Sequence, residues 1–302
     1  MTATLSQLGE FGLIDRLARL VPSRAGVLKG IGDDAAVLAL DARRYLLFTT
    51  DLLMEGVHFR HRDDLRLVGR KAMSCSVSDI AAMGGTPTYA VVSLGVPPGS
   101  RLAAVRSLYR GLSQVAKKYK VAVVGGDTIK SNKILINVAL LGEVEKYHLI
   151  TRRGARPGDL IFVTGRLGGS LASGRHLTFT PRVRESRFLV KNFKPTAMID
   201  ISDGLTADLG HILKAGKVGA VLVGAKIPRH KNVALRNALR DGEDFELLFT
   251  LPRAAGRRLL SRRRRPFTFY HIGEIVASPR GLTLIGALGR KNRIVPKGFK
   301  HF

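Results

Sequence analysis

Two carboxylates three positions apart, Asp200 and Asp203, close the apolar run Ala197-Met198-Ile199, with Ser202 between them and Gly204 straight after. Such a run reads as a buried strand and the glycine as the turn that ends it. Acids at a strand end, ahead of a helix start, are placed to hold a hard cation against a phosphate. The setting recurs. Asp33 and Asp34 follow Gly30-Ile31-Gly32, and Asp51 follows Thr49 and Thr50 at the end of an apolar stretch. Asp79 falls in the last turns of a helical run that stops at Gly84-Gly85, and Asp127 follows Gly125-Gly126. Glu243, Asp244 and Glu246 follow Gly242, so that ten of the 23 acidic residues lie in glycine-associated clusters. A solvated acidic face would scatter them; clustering at turns suggests a shared cation site.

Carboxylates brought together cannot all stay ionised without cations, because like charges raise each other's pKa. Magnesium relieves this with one or two carboxylates per ion, completing its shell with waters and phosphate oxygens. Several such ions stabilise charge on a transferring phosphoryl group. Taken singly, each acid also fits a helix cap or an Asx turn, the reading given to Asp159 and Asp208. The chain has no GxxxxGK[ST] loop and no kinase glycine loop followed by a strand lysine. A nucleotide therefore needs glycine-rich turns and metals, for which Gly125-Gly126 and Gly168-Gly169 are candidates. Arg152 has the fork to pair with a phosphate. His58 reads equally as a loop histidine or a ligand contact. No Ser-His-Asp or Cys-His set is legible, and histidines and the cysteine do not cluster as zinc ligands do.

The elements that must position these residues alternate along the chain. Helical patterns cover 6–20, with Ser6 as cap, then 64–83, 101–119, 182–190, 206–215 and 253–263. Strand patterns cover 45–51, 89–96, 121–124, 134–141, 160–164, 247–250 and 267–275. Asp51, Asp79 and Asp127 stand at the ends of separate elements in the first half, and Asp200 and Asp203 do so in the second. The alternation predicts an α/β or α+β protein with mixed sheets. A glycine- and proline-rich turn at 152–159 divides it into domains of residues 1–149 and 150–302.

Composition sets outer bounds. A chain of 302 residues with 45% hydrophobic content is long enough for two domains and too apolar for disorder. No apolar run approaches a membrane span of roughly 18 to 20 residues. The first nine residues lack a basic region ahead of an apolar core, and the lone cysteine, Cys75, allows no intrachain disulfide. A cytoplasmic location is expected, without membrane attachment. The 50 Lys and Arg against 23 Asp and Glu give a net charge of +27, densest at Arg262 to Arg265. Spread along the chain without a zinc-finger, KH or RRM signature, this excess predicts a basic surface but no specific nucleic-acid partner.

Seven segments, in order, resemble the thiamine-monophosphate kinases, a family within the superfamily of aminoimidazole ribonucleotide synthetase and selenophosphate synthetase. They are GIGDDAAVL (30–38), TTDLLMEGVHF (49–59), SDIAAMGGTP (78–87), GGDT (125–128), TRRGARPGD (151–159), MIDISDGLTADLGHI (198–212) and GEDFELLF (242–249). Each is weak alone; the ordered set spans almost the whole chain. The resemblance implies ATP-dependent phosphorylation of thiamine phosphate to thiamine diphosphate, by in-line transfer without a phosphoenzyme. It implies several magnesium ions held by Asp34, Thr49, Thr50, Asp51, Asp79, Asp127, Asp200 and Asp203. Among these, Asp51, Asp79, Asp127 and Asp200 would be the catalytic acids. ATP would contact Gly126, Asp127, Arg152 and Ser202, and thiamine phosphate would contact His58, Glu243 and Phe299. The implied fold is an N-terminal α/β domain that forms a homodimer through its sheet, with a C-terminal α+β domain closing over the site.

The chain departs from the family pattern at Ser76, where asparagine is usual, at Lys130, where arginine is usual, and at Phe299, where tyrosine or tryptophan is common. None of these is expected to touch the metal ligands. A selenophosphate synthetase would need a catalytic cysteine near its N-terminus and a hydrogenase-maturation relative a terminal one, and Cys75 is neither. A synthetase acting on a purine precursor and a basic, nucleotide-responsive RNA-binding protein are the alternatives. The segments TTDLLMEGVHF and GEDFEL favour thiamine phosphate over the first. The clustered acids disfavour the second, since they repel a phosphate backbone unless magnesium bridges them.

Overall fold

The structure is a computed structural model and describes residues 4–262, 266–278, 281–286 and 289–299. Of the expected arginine cluster, Arg262 is described; Arg263 to Arg265 lie outside the described residues. Helix α1 (Leu5–Leu17) leads into β1 (Val27–Lys29), β2 (Ala36–Ala39), β3 (Arg44–Met54), α2 (Leu65–Ala82), β4 (Thr86–Val96), α3 (Leu102–Tyr119), β5 (Ala122–Lys130) and β6 (Leu135–Glu145). The second half runs β7 (Leu160–Val163), α4 (Ser170–Ser173), α5 (Val183–Asn192), β8 (Ala197–Asp200), α6 (Leu205–Gly216), β9 (Val218–Val223) and α7 (Leu235–Arg240). It ends with β10 (Leu247–Leu251), α8 (Arg253–Ser261), β11 (Tyr270–Ala277), β12 (Leu282–Ile285) and β13 (Lys291–Ile294). The expected mixed α/β architecture is present as two sheets. One has the order β1-β2-β3-β6-β4-β5, the other β13-β12-β9-β11-β7-β10-β8.

In the first sheet only β4 and β5 pair in parallel. Along β6, buried and half-buried residues alternate because one face packs on helices and the other does not. The packed face meets α2, whose run of small residues lets it bury nearly its whole surface. Asp64 caps α2 by accepting from the Arg66 amide at 2.8 Å. Helix α3 crosses α2 at Gly69 and Gly111. A Cβ at Gly111 would lie 1.7 Å from the Arg66 carbonyl oxygen, and one at Gly69 would lie 1.9 Å from that of Leu108. The opposite face of the sheet exposes Phe48, Leu52, Tyr89, Val91 and Ile129.

The second sheet is more completely covered, and β7, β8 and β10 are buried at every position. Fully buried strands read as continuous apolar runs, which is how 160–164, 197–200 and 247–250 stand out in the sequence. Strand β8 lies at the edge of its sheet and packs against α2 of the other half. There Ser186 donates to the Ala81 carbonyl at 2.6 Å, and Leu177, Val183 and Phe245 join the core under the first sheet.

Several expectations about element ends need correction. Thr4, not Ser6, caps α1: its amide donates to Gln7 Oε1 at 2.9 Å. Strand β3 continues three residues beyond Asp51, so that acid sits inside a strand rather than at its end. Strand β5 likewise runs through Gly125-Gly126-Asp127-Thr128, which pair with β4 and form no turn. Among the described residues, no helix is long and apolar enough to cross a membrane.

Candidate active site

Acids from the two halves of the chain meet where β8 abuts α2. Asp34, before β2, Asp79, in the last turns of α2, and Asp200, the last residue of β8, each place one carboxylate oxygen within 4.8 Å of the others. Asp200 accepts from the Ser78 hydroxyl at 2.6 Å, across the junction between the two halves. Thr49 lies 2.5 Å from Asp79 Oδ2 and donates to the Asp34 carbonyl at 3.1 Å. Asp51 faces the same way from β3: Ser76 Oγ is 2.7 Å from its Oδ2 and 3.0 Å from the Val138 carbonyl. Ser76 therefore does touch an expected metal ligand. The side-chain length lost at that position relative to asparagine falls beside Asp51, not in a substrate contact.

Burial dominates the electrostatics. It pushes Asp200 up to about 8, with Asp34 adding to the shift and the Ser78 hydrogen bond opposing it. It pushes Asp51 up to about 6 against the hydrogen bonds from Ser76 and Asp79. Burial, then Asp51, Asp200 and Asp34 in turn, hold Asp79 well above the usual carboxylate range. Arg152 compensates directly: its guanidinium donates to Asp34 at 2.7 Å and its amide to Asp33 at 3.1 Å. Asp34 Oδ2 is buried with no hydrogen-bond partner. A dry cluster of hard oxygen donors with more negative charge than its cations offset is the environment magnesium satisfies. The residues present fit it.

The remaining candidates fall into place around this cluster or away from it. Ser202 and Asp203 belong to the turn between β8 and α6, and their carbonyls carry the expected substrate residues. The Glu243 amide donates to Ser202 at 2.6 Å and the Phe299 amide to Asp203 at 2.9 Å. His58 lies on the loop after β3, its Nδ1 accepting from the Met54 amide at 3.0 Å. Thr50 points to the other face of the sheet, where its hydroxyl donates to Asn137 at 2.8 Å, so its side chain does not join the acids. Asp127 and Gly126 are four strands from β2 on the exposed edge strand β5. Asp127 is level with Ser93 on the uncovered face, and its carboxylate accepts from the Thr128 amide at 2.8 Å. Within one copy of the chain neither reaches the cluster. Gly126 is explained by close strand approach, since a Cβ there would lie 1.9 Å from the Val92 carbonyl oxygen.

The ten clustered acids thus do not form one site. Asp244 accepts from the Gly168 amide at 2.7 Å, and Asp241 from that of Gly169 at 2.8 Å, so that glycine pair is occupied by the chain itself. Glu246 pairs with Arg182 and accepts from Thr164 at 2.6 Å. Asp208 and Asp159 hold backbone amides, as a cap and a turn require. Two contributors escaped the sequence reading, Ser78 on Asp200 and Lys71, which is fully buried against Glu243, while the clustered Asp33 accepts from the Arg152 amide. The spacing of Ser78 beside Asp79 was the only available signal among them.

A buried acid cluster at the junction of two α/β halves, in a chain with no P-loop, has the donor set of a phosphoryl-transfer site of the synthetase type. Residues 32–144 match the family model "AIR synthase related protein, N-terminal domain". The chain is 36% identical to the thiamine-monophosphate kinase of Aquifex aeolicus, covering 99% of each, and 36% identical to that of Escherichia coli K12, covering 97% of this chain and 98% of the relative. The solved structure of AaThiL complexed with AMPPCP and TMP superposes with a TM-score of 0.87 at 35% identity, covering all of both chains. The chain belongs to the thiamine-monophosphate kinase family and is a kinase. The purine-precursor alternative gives way to this assignment.

Proposed function

We propose that this protein transfers the γ-phosphoryl group of ATP to thiamine phosphate, yielding thiamine diphosphate and ADP. One observation carries the proposal: acids from both halves of the chain, Asp34, Asp79 and Asp200, converge where β8 meets α2. Its family membership and the bound AMPPCP and TMP of the similar AaThiL support the choice of donor and acceptor. In the transfer, an oxygen of the thiamine phosphate attacks the γ-phosphorus while the bond to the β-phosphate oxygen breaks. The acceptor oxygen is already ionised near neutral pH. No general base is then required, which accords with a site made of metal-type acids and no nucleophile–histidine pair.

Asp34, Asp51, Asp79 and Asp200, with Thr49 between them, are the side chains we assign to magnesium, and Asp203 extends the set at the turn after β8. Bound magnesium would neutralise the triphosphate and stabilise the charge that develops on the transferring group. Arg152 and Ser202 would face the phosphates, and Arg152, which donates to Asp34 here, would be free to turn to them with Asp34 engaged by magnesium. His58, Glu243 and Phe299 orient the acceptor. Residues 1–149 and 150–302 act as the two domains that supply these groups. The test is direct: the protein is incubated with ATP, magnesium and thiamine phosphate, and products are separated by chromatography. Thiamine diphosphate is expected, and a folded sample that makes none contradicts the reading.

We further read the uncovered sheet face as the contact with a second copy, because its exposed apolar row lies alongside Asp127 and Gly126. Those two residues then serve the nucleotide from the interface rather than from within one chain. Light scattering is expected to give a dimer for the wild type and a monomer for Leu52→Lys; a monomeric wild type would rule this out.

A further inference from the structure

Lys71 is a lysine with no exposed surface, in the middle of α2. Its ammonium has three neighbours from three separate segments. It donates to the carbonyl of His58 at 2.7 Å, forms an ion pair with Glu243, and lies 3.3 Å from His176 Nδ1. His176 Nδ1 is in turn 3.6 Å from Glu243 Oε2. A buried ammonium is costly without an anion and hydrogen-bond acceptors around it, so these groups hold one another in place. His58 belongs to the first half of the chain and Glu243 and His176 to the second, so the ammonium ties loops from the two halves together.

The loop it ties down is strained. Glu243 has φ +65° and Phe245 φ +49°, left-handed values that side chains other than glycine adopt only where the surroundings enforce them. Two backbone bonds to the turn after β8 do part of this, at 2.6 Å from Glu243 to Ser202 and 2.8 Å from Phe245 to Ile201. The Phe245 ring stacks on Phe179 at 4.1 Å. Among the described residues, Lys71 and His176 are the groups that contact the Glu243 carboxylate itself, and that carboxylate is largely buried.

We infer that Lys71 is the positioning residue for the acceptor: it fixes the Glu243 carboxylate and the His58 loop at the distance thiamine phosphate requires. This rests on the placement of His58 and Glu243 at the acceptor in the proposed function. The contacts of Lys71 are with His58, Glu243 and His176 and with none of the side chains assigned to magnesium, so its main effect is expected on acceptor binding.

The experiment compares Lys71→Met, Glu243→Gln and the double variant by steady-state kinetics, varying thiamine phosphate at saturating ATP and then the reverse. Lys71→Met is expected to raise KM for thiamine phosphate about tenfold or more, with KM for ATP within about twofold and kcat within about threefold. Glu243→Gln should move the same constant in the same direction. The double variant, which leaves no unpaired charge behind, should be no worse than the poorer single variant, as residues acting through one contact behave. It is also the informative protein should Lys71→Met alone fail to fold. A Lys71→Met enzyme with both KM values raised equally, or a double variant with KM for thiamine phosphate about tenfold above that of the poorer single variant, overturns the inference. If Glu243→Gln leaves KM for thiamine phosphate unchanged, the placement of the acceptor is at fault instead.

Discussion

Asp200→Asn is expected to fold normally and to lose kcat by about 100-fold or more, with little change in KM for thiamine phosphate. The amide keeps the shape and can still accept from Ser78, which lies 2.6 Å from the carboxylate. It removes the charge that the second half of the chain brings to Asp34 and Asp79. Burial already holds Asp200 near 8, so the apo protein gives up no stabilising ionisation when the charge goes. Its melting temperature in chelator should therefore stay level or rise. This pairing of lost turnover with undiminished stability separates a ligand from a structural acid. For comparison, Glu246→Gln breaks a charge pair with Arg182 and should lower the melting temperature. Steady-state rates and thermal melts on the same samples decide the matter. Near-normal kcat in Asp200→Asn would show that the buried acid is structural.

The second large effect concerns folding. Gly111→Val is expected to destabilise the protein by about 3 kcal/mol or more, through overpacking of a backbone contact that cannot yield. The Cβ would lie 1.7 Å from the Arg66 carbonyl oxygen and 2.9 Å from the Arg70 amide, both on α2. Neither partner is a flexible side chain, so α3 must move away from α2 as a whole. Helix α2 carries Lys71, Ser76, Ser78 and Asp79, and separation there reaches the site as well as the core. Denaturant unfolding should show the loss, together with reduced activity in what remains folded. Full stability in Gly111→Val would mean that the helices do not cross at these glycines.

How far the site was legible follows from the same geometry. Asp200, Asp79 and Asp34 were readable because an acid closing an apolar run, or placed next to a glycine turn, has few solvated alternatives. Asp51 was misplaced because its strand continues through Leu52, Leu53 and Met54, which look like the start of a loop once a carboxylate has interrupted the pattern. Asp127 lies on a different sheet face from the one its spacing suggests. Strand β5 pairs Val123 with Ala90 and then Gly125 with Val91, leaving Val124 as an extra residue. One inserted residue reverses which face every later side chain takes. Counting by twos from Val123 puts Asp127 on the helix side with Asp51; the bulge puts it on the uncovered side. No local signal in Val121-Ala122-Val123-Val124 announces that step.

Lys71 was invisible for a simpler reason. A lysine in a helical run reads as solvated, and only the fold brings Glu243 from 172 positions away to neutralise it. Pairing across that distance is set by how β8 docks on α2, which composition and periodicity do not encode. The acids of residues 241–246 were over-read by the same token. Asp241, Asp244 and Glu246 are taken up by backbone amides, a hydroxyl and Arg182, whereas Glu243 pairs with the buried Lys71.

The two halves of the chain are expected to share one cation site. Calorimetric titration of magnesium, in the presence of a non-hydrolysable ATP analogue, tests it on the wild type, Asp79→Asn and Asp200→Asn. Both variants are expected to bind magnesium more weakly by about tenfold or more, in parallel, because each removes a carboxylate from the same cluster. An Asp200→Asn protein that titrates like the wild type while Asp79→Asn does not would contradict the account, and place the cation on the first half alone.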